Sequence, residues 1–205
     1  MGLDAARMKR RPLLSVVKLG GSLFEADALD ALLDASAWRG AVVVAGGGPF
    51  ADAVRAAQKR RGFDDATAHR MAILAMEQSA LMLAARRPDL RPCATPEAFA
   101  AARGRGAIWL PARMALEADL PASWDVTSDS LALWLAITLG AAQAVFVKAA
   151  PAPAAEDPKT WAESGLVDPY LPLLAARYEG RVALIGDASP TALDQALDGL
   201  ERRAA

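Results

Sequence analysis

Two short apolar runs each end in a cluster of glycines, and this repeated junction constrains the fold more than any other feature of the sequence. Residues 13–19 include two valines and run into Gly20-Gly21, and residues 41–45 run into Gly46-Gly47-Gly48. An apolar run of this length bounded by turn residues reads as a buried strand. Between and after them, residues 27–38, 50–59 and 65–86 carry apolar positions at helical spacing. Further strands are expected at 91–93, 107–110, 144–148 and 182–185. Further helices are expected at 96–103, 130–139, 169–178 and 190–200, with residues 151–158 breaking regularity. Strands separated by helices of this length call for a central, mostly parallel twisted sheet covered on both faces, an α/β fold of three layers (an α/β/α sandwich).

The chain has 205 residues, 54% of them hydrophobic and 23% charged, with a mean hydropathy of +0.18. That profile fits one compact domain over residues 1–205. A net charge of -1 and a pI near 5.9 give no general attraction to nucleic acid or to anionic membranes. Cys93 is the only cysteine, so an intrachain disulfide and a thiolate metal cluster within the chain are excluded, and no residue is assigned as a metal ligand. The basic start, residues 1–12, reads as mature protein because the apolar run after it is interrupted at Lys18. No stretch reaches the roughly 20 apolar residues of a membrane span. A soluble, cytoplasmic protein is expected.

Ligands of open α/β sheets collect at the carboxyl ends of strands, and four such ends carry unusual residues. In Lys18-Leu19-Gly20-Gly21-Ser22, Gly20 and Gly21 let the backbone approach an anion, Ser22 can donate to it, and Lys18 supplies a compact charge. A plain Gly-Gly turn is the bland alternative. Gly46, Gly47 and Gly48 precede Pro49 and a helix start, where unpaired N–H groups suit a phosphate. The spacing matches neither a Walker loop nor the dinucleotide fingerprint. Residues Asp125, Thr127, Ser128 and Asp129 lead into a helix, so Asp129 is either a capping acid or the carboxylate that orients Lys18. Lys148 ends a strand otherwise made of Ala, Val and Phe. The chain has only five lysines, and two of them, Lys18 and Lys148, end expected buried strands, where a lysine is an unusual filler.

These four features, in this order, resemble the amino acid kinase superfamily over nearly the whole chain. Lys18 to Ser22 looks like that family's nucleotide phosphate loop, Gly46 to Gly48 like its acceptor-side glycine loop, and Thr127-Ser128-Asp129 like its Thr/Asn-x-Asp segment. The resemblance implies transfer of the γ-phosphoryl group of ATP, with Mg²⁺, to a carboxylate or phosphate. Lys18, Asp129 and Lys148 would be catalytic, and the acceptor would lie between Gly47 and Asp125. The family's late lysine has no counterpart, since Lys159 is the only lysine after Lys148 and its surroundings do not match. The adenine contacts have no assignment, because Ala149-Ala150-Pro151-Ala152-Pro153 replaces the family's Asp-x-x-Gly signature.

With Ala68-His69-Arg70-Met71-Ala72, the chain looks most like the short branch that contains the aminomethylfuran phosphate kinase of methanofuran biosynthesis. His69, the only histidine, is either a surface or capping residue or a contact to the acceptor, and Arg70 would meet the acceptor phosphate. The expected partner is thus a small phosphorylated molecule. Trp109, Trp124 and Trp134 read as core or oligomer contacts, and Met71, Met76 and Met82 as packing. The apolar remainder of helix 65–86 suggests a homo-oligomer. A non-catalytic nucleotide- or oxyanion-binding storage protein on the same fold is the alternative function.

Overall fold

The computed structural model describes residues 13–153 and 157–203. The basic segment 1–12 and residues 154–156 of the expected break lie outside them. In chain order the elements are β1 (Ser15–Leu19), α1 (Leu29–Trp38), β2 (Val42–Ala45), α2 (Gly48–Arg61), α3 (Asp65–Arg86), β3 (Arg91–Cys93), α4 (Pro96–Ala102) and β4 (Ala107–Trp109). There follow α5 (Ala112–Ala115), α6 (Ser128–Thr138), β5 (Gln143–Val147), α7 (Pro158–Glu163), α8 (Leu171–Ala175), β6 (Arg181–Ile185) and α9 (Pro190–Arg203). The six strands form one sheet in the order β3-β4-β2-β1-β5-β6, and every pairing is parallel.

Alternation along the strands divides the core into two layers. Val16, Val42, Val44, Ala144 and Phe146 face one layer, packed on α6 through Leu131 and Leu135. Val17, Leu19, Val43, Val145 and Val147 face the other, packed on α1 and α9 through Leu32, Leu33 and Leu193. Val16, Val17 and Leu19 are fully buried, each contributing about 1.5–3 kcal/mol by removal from water. The sandwich expected from the alternation of strands and helices is therefore the observed fold.

Local chemistry sets the helix starts. Asp64 caps α3 by accepting from the Thr67 N–H, Thr95 caps α4 ahead of Pro96, and Asp157 caps α7 ahead of Pro158. Two short helices were not expected from the sequence. Pro158 closes the expected break by opening α7. α5 follows Pro111 and has its Ala112 N–H held by the Glu77 carboxylate of α3 at 2.6 Å. α8 is shorter than residues 169–178: it starts at Leu171, whose N–H donates to Asp168, and ends at Ala175.

The chain runs from β1 outward through β2 to β4 and β3, then returns to place β5 on the other side of β1. This reversal makes the carboxyl ends of β1 and β5 the switch point of the sheet, where the fold leaves a crevice. Lys18 lies in β1 one residue from its end, and Lys148 directly follows β5. Both share the parity of Val16 and Phe146, so both lie on the α6 side.

Candidate active site

The two lysines meet on one carboxylate. Asp129, in the first turn of α6, is 2.7 Å from Lys18 Nζ, and Lys148 Nζ donates to both its oxygens at 2.9 Å. Lys18 and Asp129 are only 4% and 5% exposed, so each needs the other. Burial by itself would raise the Asp129 carboxyl, but the two ammonium groups outweigh it and hold the acid below the usual carboxylate range. Burial and the neighbouring Lys18 push the Lys148 ammonium down to about 8, against the pull of Asp129. The cluster carries two positive charges and one negative, a surplus cation at the switch point. Asp129 pairs with both lysines, while the cap position of α6 is held by Thr127.

The two glycine loops touch backbone to backbone. Gly46 N–H donates to the Leu19 carbonyl at 2.8 Å, a Cβ on Gly46 would sit 2.6 Å from Gly21 N, and one on Gly21 would sit 2.6 Å from Gly48 N. No side chain fits at either position. Gly48 has φ +50° at the first position of α2, a conformation that favours glycine. The buried Ser79 hydroxyl of α3 donates to the Gly47 carbonyl at 3.1 Å and fixes this loop from behind. Gly20 lies beside the lysine, since its Cβ position is 3.5 Å from Lys18 Nζ.

A cleft of about 480 Å³ opens in front of these loops. Gly21, Ser22, Gly47, Gly48, His69, Thr127 and Ser128 line it, while Lys18, Gly20, Gly46 and Asp129, all buried, and the half-buried Lys148 are not among its lining residues. Two expected contacts fall elsewhere. Arg70 and Asp125 are exposed and do not line the cleft. Arg70 follows His69 on α3 and is turned about 100° from it, away from the helix face that His69, Ile73 and Met76 present to the cleft. Asp125 sits in the turn before α6 and offers that turn its backbone, its carbonyl accepting from Tyr170 N–H at 3.2 Å.

The cation on the cleft wall is Arg55 of α2, stacked 4.2 Å from the centre of the Trp124 ring. Trp124 donates through Nε1 to Gln58 at 2.7 Å, packs against the small cluster of Ala51, Val54, Ala68 and Ala75, and also lines the cleft. Gly48, Asp52 and Arg55 recur at helical spacing, a signal available in the sequence. Phe24, Glu25 and Asp52 also line the cleft and were not singled out. His69 is buried rather than on the surface, with Nδ1 at 3.2 Å from the Ser123 carbonyl. Burial pushes its pKa down, partly offset by the backbone of Ser123 and Val126, so the ring is neutral at pH 7.

Trp109 is core, buried against Trp134 with ring centres 6.1 Å apart, and Met76 is core as well. Met71 and Met82 are 37% and 39% exposed, which corrects their reading as packing residues. Among the described residues no group of three or more His, Cys, Asp or Glu is arranged to hold a metal, and no helix is long and apolar enough to cross a membrane.

A crevice flanked by glycine loops, with a buried lysine–aspartate cluster at the switch point of a parallel sheet, has the chemistry to receive an anion. Residues 14–102 match the model of the amino acid kinase family. The fold is similar to that of the uridylate kinase from Archaeoglobus fulgidus, with a TM-score of 0.66 and 15% identity over 90% of this chain and 95% of that one. It is also similar to the UMP kinase from Bacillus anthracis, with a TM-score of 0.60 and 14% identity over 92% and 93% of the two chains. An isopentenyl phosphate kinase matches with a TM-score of 0.53 and 16% identity over 91% and 96%. These likenesses establish the amino acid kinase fold. No curated protein matches the chain.

Proposed function

We propose that the chain is an ATP-dependent kinase of the amino acid kinase family, and that it phosphorylates the phosphate group of a small phosphomonoester. The observation that carries this reading is the Lys18–Asp129–Lys148 cluster, set at the switch point with Lys18 Nζ beside Gly20 of the first glycine loop. In it, the γ-phosphate of ATP lies against Gly20, Gly21 and Ser22, with Lys18 and Lys148 neutralising the charge on its oxygens. The acceptor phosphate lies at the start of α2, against Gly47 and Gly48, with Arg55 as its counter-ion. An oxygen of the acceptor attacks the γ-phosphorus, the bond to the bridging oxygen breaks, and ADP leaves. A phosphate oxygen at neutral pH carries no proton, so no general base is needed, and His69 is left as a contact to the acceptor. Catalysis is then positioning and charge neutralisation.

The donor set accommodates ATP through backbone N–H groups and lysines. Mg²⁺ fits as a companion of the nucleotide phosphates rather than of protein carboxylates, because Asp129 is committed to two lysines. When bound, it neutralises charge on the bridging phosphates. Lys148 takes the role of the missing late lysine, since Lys159 is exposed and pairs with Glu163 at 3.9 Å.

A phosphate acceptor is preferred to a carboxylate because the neighbours matched over nearly their whole length are named as kinases of UMP and of isopentenyl phosphate, whereas an aspartate kinase is matched over 38% of its chain. The cleft also has Phe24 and Trp124 for a planar ring and Glu25 and Asp52 for an ammonium group. These features support an aminomethylfuran-methyl phosphate as acceptor, in the biosynthesis of a methanofuran-type cofactor. ADP formation from ATP and Mg²⁺ with a panel of phosphomonoesters tests this. ATP binding without ADP from any acceptor would instead favour the storage reading. Arg55→Ala and His69→Ala are expected to raise KM for the acceptor more than KM for ATP, with Arg55→Ala the larger by about tenfold, as for loss of a charged contact.

Met71, Leu74, Leu81 and Met82 form an exposed apolar stripe along α3, which supports a homodimer. Sedimentation showing only monomer at micromolar concentration would remove that assignment.

A further inference from the structure

A second buried carboxylate stands behind the first turn of α6, and nothing in the mechanism above uses it. Asp168 is 6% exposed and accepts five hydrogen bonds. Oδ2 receives the Thr127 N–H at 2.8 Å, the Thr127 hydroxyl at 2.9 Å and the Ser130 N–H at 2.9 Å. Oδ1 receives the Ser130 hydroxyl at 2.5 Å and the Leu171 N–H at 3.0 Å. All five donors are neutral.

This arrangement reinforces an ordinary helix cap. The residue at the cap position of α6 is Thr127, whose hydroxyl accepts from the Asp129 N–H at a long 3.5 Å and donates to Asp168 at 2.9 Å. The carboxylate that satisfies the start of α6 comes from about forty positions downstream, and it satisfies the start of α8 as well. The Tyr170 N–H to Asp125 carbonyl bond joins the same two segments at their other end. The first turn of α6 is therefore stapled to a different part of the chain on each side of the residue that holds Lys18 and Lys148.

We propose that Asp168 is the positioning residue of the site: it sets where Asp129 stands, and through Asp129 where the two ammonium groups stand. The proposal rests on the reading of the Lys18–Asp129–Lys148 cluster as the γ-phosphate site. An amide at 168 would bring N–H groups against the donors it now satisfies, and the turn would shift. A misplacement of about 1 Å at a transfer site costs about a hundredfold in rate.

The test is Asp168→Asn in the full chain, assayed with ATP, Mg²⁺ and furan-2-ylmethyl phosphate, together with calorimetric binding of ATP and of ADP. The expected result is a fall in kcat of about a hundredfold, with both KM values held within about threefold, and loss of the preference for ATP over ADP. Unchanged kcat and unchanged preference overturn the proposal, as does a rise in acceptor KM alone, which would mean that Asp168 only shapes the cleft. If the variant does not fold, Ser130→Ala serves, since it keeps the carboxylate and four of its five donors. It is expected to show the same split at smaller size, and wild-type behaviour overturns the proposal. Asp129→Asn is the control. If Asp129→Asn keeps turnover and ATP preference, the reading of the cluster fails and the positioning role with it. If only Asp168→Asn is silent, the positioning role alone falls. Should the wild type turn over none of the acceptor, the ATP-over-ADP preference decides by itself.

Discussion

Asp129→Asn is expected to lower turnover by about a thousandfold, the upper range for removing one preorganised electrostatic group, while the protein stays folded. The loss exceeds that of a single contact because Asp129 orients both Lys18 and Lys148. Persistence of the fold needs an argument, because breaking a buried ion pair commonly costs about 3–5 kcal/mol. Here the variant has an exit. Lys148 already titrates at about 8, so shedding its proton at pH 7 costs about 1.4 kcal/mol or less once the carboxylate is gone. The stability loss should therefore lie below the usual range, with the remaining ammonium on Lys18. Circular dichroism and thermal unfolding check the fold, and ADP release checks the rate. Wild-type turnover in the folded variant would remove Asp129 from the mechanism.

The second expectation concerns Lys148 and pH. If its charge neutralises the transferred group, kcat/KM for ATP should fall on an alkaline limb with a midpoint near 8, as the free enzyme loses that proton. Lys148→Arg keeps its charge across this range and should lose the limb, at a lower rate throughout, because a planar guanidinium cannot reproduce a compact ammonium. Stability must move the other way. The folded pKa lies below the unfolded value of 10.5, so between the two the unfolded chain binds more protons than the folded one, and this group's contribution rises with pH. Between about pH 7.5 and about pH 9.5, the wild type should gain Tm relative to Lys148→Met. A flat rate profile through pH 9 would leave Lys148 a structural partner of Asp129 and nothing more.

Much of this arrangement is legible in the sequence, for identifiable physical reasons. β1, β2 and β5 are buried on both faces, so their apolar runs are continuous and a lysine within or just after them stands out. Glycine marks the two loops because each backbone occupies the space of the other's missing Cβ. What the sequence hides depends on distance or direction. Asp168 is an ordinary acid until the fold carries it to the start of α6. Arg70 and Arg55 are both arginines on helices near the glycine loop, and only the rotation of each helix decides which one meets the cleft. α7 was obscured because its opening Pro158 looks the same in a break as at a first helical turn.

The strand order carries a further consequence for how the molecule is made. β1 lies at the middle of the sheet, yet one of its two neighbours, β5, arrives late in the chain, with Gln143 and Ser15 paired across 128 positions. Until β5 is synthesised, β1 presents a bare hydrogen-bonding edge flanked by apolar side chains on both faces, a surface that invites pairing with another nascent chain. Closing so long a loop also slows folding. Lys18, made well before Asp129 and Lys148, thus waits for both, and the cation cluster can assemble only as the sheet closes around β1.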